Sequence, residues 1–476
     1  MNAPNQTTLE LPSWNFRAVK LGCVEVGDIE FKPLTLMCGP NNTGKTWVMY
    51  ALYGFLASSL SNIQLPETQK VIDELIREGQ ISWNFGEWLN EHAKKVIDSI
   101  HLATKQRLHS VFNSSSDLFS HSRFDWEISA NELVASAIKR GMDFRLVLGR
   151  KGNEVLRLLK QPGETIIHIT LQSQRFPDIS FILAGAIAQH LLGLPPRQSV
   201  FLVPAERNGL HLFYRELANR RTALLHHATK KDKDINLGQL FQDLAGSRYA
   251  EPIAHYIDWL NEIPSVRKNK PGTFHSLAEE VKKVAGGRYD VDAEGDITFT
   301  PRKLRRGDGE TPPKLDLHLT SSTVKSLFGL WFYLEHQAQV GDVLMLDEPE
   351  LNLHPSNQRL VARLLARLVN SGLRVVVSTH SDYLVREVNS LIMLSREHVC
   401  RAELMKRFGY QETEFLSPEI VAAYLFDDRK IVPMKVTVNE GIQAETFDAV
   451  IHELNETSDE IYYAYQEAFA AGEESE

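Results

Sequence analysis

"MCGPNNTGKTWVMYAL", residues 37–52, decides the fold. Gly39 and Gly44 bracket a short polar segment, and Lys45 and Thr46 follow at once. Upstream, "FKPLTLMC" is an apolar run of strand length; downstream, "TWVMYALYGFL" is apolar enough for a packed helix. Strand, glycine-rich turn and helix start are the context that a phosphate-binding loop needs. The glycines let backbone N–H groups turn inward without a Cβ clash. The first turn of the helix adds partial positive charge and unpaired donors. Gly39, Asn41, Asn42, Thr43 and Gly44 are therefore expected to wrap a nucleotide's phosphates. Lys45 would reach the β- and γ-phosphates, and the Thr46 hydroxyl would ligate Mg²⁺.

The rest of the chain suits such a site. Its 476 residues allow two or three domains, or one elaborated domain. With 43% hydrophobic and 24% charged residues it has the composition of an ordinary globular protein. Cys23, Cys38 and Cys400 show neither disulfide nor metal spacing, which suits a reducing cytoplasm. "MNAPNQTTLELPSWNF" lacks the pattern of a secretion signal. The longest apolar stretch, "SFILAGAIAQHLLGLPP", contains Gln189 and His190 and stops at prolines, so it reads as a core helix and not a membrane span. The expected location is cytoplasmic, with no membrane contact. A net charge of −9 does not favour a protein coated all over by nucleic acid, but leaves room for a local basic stripe.

Six segments follow from the pattern of runs. Residues 1–64 hold the strands and the loop. Residues 65–140 read as a helical insertion, with apolar spacings of three and four in "ETQKVIDELIREGQ" and "FGEWLNEHAKKVIDSIHLATKQRLHSVF". Residues 141–209 hold a β meander, with a hairpin turn at Lys151-Gly152-Asn153, a further strand in "TIIHITLQ" and another in "QSVFLVPAERNG". Residues 210–284 return to helix. Residues 285–395 start with a hairpin turning at Glu294-Gly295 and carry the second half of the site. Residues 396–476 form an α/β extension with an acidic tail.

That second half begins at "VLMLDEPE", residues 343–350, where four apolar residues make a buried strand suited to the centre of a parallel sheet. Asp347 and Glu348 then sit at its carboxyl end, where open α/β sheets place ligands. Asp347 fits the carboxylate that holds Mg²⁺, and Glu348 the group that orients and deprotonates a water. "LRVVVSTHSDYLVREV" is a further buried strand ending at His380, whose imidazole can bond a γ-phosphate oxygen. "LHLTSSTVKSLFGLWFYLEHQ" precedes the acids, with Ser321 placed as the N-cap of an apolar helix.

The order of these motifs resembles that of ABC-type ATPase heads. "DEPELNLHP" with "THSDYL" is similar to the SMC/Rad50/RecF-like branch, and especially to the OLD-like or AAA_15 ATPases. The likeness covers roughly residues 15–55, 200–210 and 315–395. It implies an α/β ABC-type P-loop ATPase head with a mixed and parallel sheet core, an antiparallel β subdomain and a helical insertion. It also implies ATP and Mg²⁺ as cofactors. By this resemblance Lys45 and Thr46 belong to Walker A, Asp347 and Glu348 to Walker B, and His380 is the switch histidine. "TSSTVKSL" aligns with the family's signature loop, which places Ser321 at the signature serine, acting in trans on a partner's nucleotide. A head-to-head homodimer or larger homo-oligomer is the implied unit. Ser322 and Thr323 replace the two signature glycines, which implies a trans contact that is looser or made by hydroxyls, and slow turnover. In "VPAERNG", Glu206 or Arg207 stands where the family's Q-loop reports on Mg²⁺ and γ-phosphate; the alternative is a structural ion pair.

OLD-like relatives often carry a fused Toprim nuclease. Here "LFDDRKIVPMKV" has adjacent Asp427 and Asp428 and no Asp-x-Asp spacing, and reads as a hairpin turn. The chain thus resembles the ATPase subunit of PARIS-type or Septu-type phage-defence pairs. That implies a separate Toprim-type nuclease effector and a phage protein as trigger. The rival is a RecF- or Rad50-like repair ATPase that clamps DNA, for which "PRKLRRGDGETPPK" and "VRKNK" supply basic residues; DNA contact is not favoured.

Overall fold

The computed structural model describes residues 14–57, 63, 65–148, 153–172, 179–194, 200–216, 249–266, 272–302, 312–443 and 456–466. Strands β1 (Trp14–Leu21), β2 (Val24–Phe31) and β3 (Leu34–Cys38) lead into the helix Lys45–Ala57. Next come β4 (Gln80–Asn84), the helix Phe85–Val111 and β5 (Arg123–Glu127). Then follow β6 (Met142–Leu148), β7 (Asn153–Lys160), β8 (Ile166–Leu171) and β9 (Val200–Val203). A three-stranded sheet of β10 (Gly287–Val291), β11 (Ile297–Pro301) and β12 (Leu315–Asp316) precedes the helix Ser322–His336. β13 (Val343–Asp347), the helix Pro355–Asn370, β14 (Arg374–Thr379) and the helix Asp382–Met393 come next, and then β15 (Val421–Asp427) and β16 (Lys430–Met434).

Nine of these strands form one mixed sheet, in the order β5-β1-β2-β16-β15-β3-β14-β13-β9. From β15 to β9 every pairing is parallel. All five residues of β3 and of β13 are buried, because helices cover both faces. Alternation then splits each strand between two cores. Met37, Val343, Met345 and Val376 face one core, with Val48 and Leu52 of the Lys45–Ala57 helix. Leu36, Leu344, Leu346, Val375 and Val377 face the other, with Phe328 and Phe332 of the Ser322–His336 helix. Truncating any of these to Ala should cost about 2–5 kcal/mol.

Parallel pairing also brings three strand ends to one edge. Thr379 pairs with Cys38, and Asp347 with Ser378, so the loop after β3, the acids after β13 and the histidine after β14 are neighbours.

Two segments differ from the pattern-based expectation. Residues 65–140 are not helical throughout: β5 pairs with β1 in the large sheet, and β4 is the edge of a four-stranded sheet, β4-β8-β7-β6. Both strands are only five residues long, and their partners lie far along the chain, at Ile166–Leu171 for β4 and at Trp14–Leu21 for β5, so no local period announces them. The C-terminal segment is likewise no appendage. β15 lies between β3 and β16, at the centre of the sheet. Its turn into β16 at Asp428 and Arg429 has φ of 41° and 63°, as a tight hairpin needs. The Lys151-Gly152 turn, most of the basic loop at 303–311, residues 217–248 and the acidic tail lie outside the described residues. Among the described residues, no helix is long and apolar enough to cross a membrane.

Candidate active site

Local backbone geometry explains the choice of residues at the loop. Gly39 has φ +139°, and a Cβ there would lie 2.4 Å from the carbonyl oxygen of Phe426 on β15. Gly44 has φ +102°, and a Cβ would meet Val24 at 2.6 Å. Neither position accepts a side chain. Lys45 opens the helix Lys45–Ala57 and is buried. Its ammonium donates to the carbonyls of Gly39 (2.9 Å) and Pro40 (2.6 Å). Desolvation lowers its pKa, against the pull of Glu348 and Asp347. A cation held, among the described residues, by two loop carbonyls can exchange them for the oxygens of an anion.

Across the edge, the Thr46 hydroxyl donates to Asp347 Oδ2 at 3.4 Å, so the two expected metal-binding groups meet. Asp347 is buried, and desolvation raises its pKa to about 6 although the Ser378 hydroxyl donates to its other oxygen. A buried acid of this kind favours a proton or a bound cation as partner.

Glu348 has φ +50°, rare for a side chain of its size. Its N–H donates to Ser378 O and Oγ, both at 3.1 Å. Its carboxylate lies 2.8 Å from His380 Nε2. That contact lowers the pKa of Glu348 and raises that of His380. Asn42 in the loop (φ +64°) and Asn352 after the acids (φ +62°) are also left-handed. Such conformations cost of order 1–3 kcal/mol each and collect at functional sites.

Ser321 caps the Ser322–His336 helix, its Oγ accepting the Val324 N–H at 3.3 Å. Thr323 Oγ1 donates to Asn352 O at 2.9 Å, fastening this end to the turn after the acids. Ser321 and Ser322 are solvent-exposed. Arg207 does not reach toward the loop. It is buried, and its guanidinium donates to Asp347 O, Glu348 O, Pro204 O and Ser326. Neither a phosphate contact nor the alternative ion pair describes that placement.

The sequence reading missed three participants. Ser378 holds both Asp347 and Glu348. Glu350, buried, accepts from Thr379 Oγ1 (2.7 Å) and from the His380 N–H (2.8 Å), which sets the backbone of His380. Ser326 bonds Arg207. The signal was a cluster of hydroxyls and a third acid within motifs already singled out, but their partners lie 25 or more positions away in sequence and meet only in the folded chain.

The family AAA_15, described as "AAA ATPase domain", matches residues 218–385, a span that contains Ser321, Asp347, Glu348 and His380. Together with the loop, acids and histidine gathered at one sheet edge, that decides the activity. This is an ATPase. Comparison with curated proteins gives no match. Among solved structures, the chain is similar to the SMC head domain from Thermotoga maritima (12% identity, 90% of this chain and 100% of that one, TM-score 0.30). It is also similar to the Smc head domain with an extended coiled coil bound to the C-terminal domain of ScpA from Pyrococcus furiosus (13%, 93% and 99%, TM-score 0.33). A third is a SmcHead bound to the C-winged helix domain of ScpA (12%, 89% and 98%, TM-score 0.34). Overlaps this low carry no weight for mechanism, which rests on the ATPase's own residues.

Proposed function

We propose that the ATPase works as a head-to-head homodimer or larger homo-oligomer in which Ser321 of one chain completes the nucleotide site of another. The observation that carries this is the split between the two halves of the site. Lys45, Thr46, Asp347, Glu348 and His380 converge on one sheet edge, whereas Ser321 and Ser322 stand exposed at a helix start, beside Leu319, which is 63% exposed.

Within the site, Lys45 neutralises phosphate charge and the loop N–H groups orient the triphosphate. Thr46 and Asp347 would hold Mg²⁺, which supplies Lewis-acid charge stabilisation when bound. Glu348 orients the attacking water and accepts its proton; His380 is the donor that meets the γ-phosphate.

Control of a separate nuclease effector in cytoplasmic anti-phage defence, with a phage protein as trigger, is the role we assign to this cycle. It is supported by the wording of "HLTSSTVKSL" and "THSDYL", and by the placement of Asp427 and Asp428 at a hairpin turn. A mixing experiment tests the shared site. Lys45→Ala and Ser321→Arg are each expected to be inactive alone. Mixed, they should regain turnover, because the heterodimer holds one site with both an intact Lys45 and an intact Ser321. If no ratio restores activity, the shared site is wrong. Turnover that climbs steeply with double-stranded DNA would instead move the protein to the DNA-clamp class.

A further inference from the structure

Arg207 stands at the exit of β9 and is 2% exposed, yet among the described residues its guanidinium makes no hydrogen bond to a carboxylate. Burying a cation is costly unless its donors are satisfied. Here they are satisfied by oxygen atoms of three separate segments. Nη1 donates to Pro204 O (3.1 Å) and Asp347 O (2.9 Å), and Nη2 to Glu348 O (2.7 Å). Nε donates to Ser326 O (3.2 Å) and Oγ (2.9 Å), in the helix that Ser321 caps. Ser326 Oγ in turn donates to Leu351 O at 3.2 Å, in the turn after the acids.

The two carbonyls gripped by the guanidinium belong to Asp347 and to the left-handed Glu348. A strained residue persists only where its surroundings over-determine it. Ser378 fixes the Glu348 N–H from one side, and Arg207 fixes its carbonyl from the other. The planar fork suits this task, since it spans two adjacent acceptors at a set angle.

We propose that Arg207 is a positioning residue for hydrolysis: it holds the Glu348 backbone in the conformation that presents the carboxylate to His380, and it transmits displacement of the Ser322–His336 helix to that carboxylate. The proposal rests on Glu348 orienting the attacking water. Its physical content is a rigid link between the exposed Ser321 end, where another chain would bind, and the reacting edge. A helix moved by about 1 Å would move Ser326, hence the guanidinium and the catalytic glutamate; displacements of that size cost about 100-fold in rate.

The test measures steady-state ATP turnover and the affinity for a non-hydrolysable ATP analogue on the full chain. The variants are Arg207→Lys, Ser326→Ala and their double. Lysine keeps the charge but lacks the planar fork, so one ammonium cannot reach the Pro204, Asp347, Glu348 and Ser326 oxygens together. Arg207→Lys should lower kcat by about 100-fold while KM and analogue affinity change little. Ser326→Ala should lower kcat less, and the double variant should be no worse than Arg207→Lys, because both act through one link. A folded Arg207→Lys with wild-type kcat overturns the proposal, as does a fall in kcat matched by an equal fall in analogue affinity. Multiplying effects in the double variant overturn the link to the helix. Should Arg207→Lys fail to fold, Ser326→Ala decides alone, and an unchanged kcat there refutes it. A wild-type chain that turns over no faster than Lys45→Ala instead refutes the hydrolytic reading, and the Arg207 role falls with it.

Discussion

Two aspartates, Asp143 in the four-stranded sheet and Asp347 in the nine-stranded one, carry the same side chain to opposite ends of the scale. Asp143 lies on β6 in solvent, gripped by Arg145 (3.1 and 2.7 Å) and Arg157 (3.1 and 3.3 Å), and these bonds lower its pKa to about 2. Asp347 ends β13, buried, with two hydroxyls and no cation hydrogen-bonded to its side chain among the described residues, and burial raises its pKa to about 6. Both are short-range features of a strand. What separates them is that one is covered by helices on two faces and the other is wet. A solvated ion pair contributes little and can be spared. A buried acid without a cation is costly, and persists where something else is to be bound.

Three measurements sharpen or break that contrast. The largest effect belongs to Glu348→Gln, which keeps the backbone, the left-handed turn and the Lys45 cradle but removes the proton acceptor. Turnover should fall by about 10²- to 10⁴-fold with nucleotide still bound; an enzyme with wild-type turnover would remove Glu348 from the chemistry. Asp347→Asn comes next. Because its folded pKa lies above the ordinary 3.8, the wild-type acid costs stability when ionised and regains it as pH falls through about 6. The nucleotide-free variant should therefore melt at or above the wild-type temperature at neutral pH. That advantage should shrink as pH falls from about 6 toward 4. ATP with Mg²⁺ should stabilise the wild type more than the variant. A variant that melts lower at neutral pH would contradict the assignment of burial as the cause. Asp143→Ala should be the smallest effect, leaving kcat, KM and nucleotide affinity as they were; a loss of turnover there would mean that the four-stranded sheet communicates with the site.

Much of the site was legible in the chain because its parts are local. Gly39, Gly44, Lys45 and Thr46 lie within eight residues, and each constraint on them is met by its neighbours: positive φ, a helix start, a preceding buried strand. The same holds for Asp347 and Glu348 after four apolar residues, and for His380 after "VVVST". An unbroken β-branched or apolar run is the mark of a strand covered on both faces, and the sheet bears that out.

Other features could not be read because they depend on which strand lies beside which. Nothing near Val421–Asp427 says that it will pair with β3 and place a carbonyl against Gly39, and nothing in "RFDWE" says that it will join β1. Arg207 is the clearest case. A basic residue in a polar turn at a strand exit looks like a ligand contact or a surface ion pair. Only the packing of the Ser322–His336 helix against β9 and β13 turns it inward onto carbonyls 140 and 141 residues away. By itself, then, the chain determined the local form of the loop, the acids and the histidine, since backbone torsion and local burial are written in a few adjacent residues. Tertiary structure alone decided how those groups are held, because parallel pairing and buried hydrogen bonds join segments whose order in the chain carries no record of their contact.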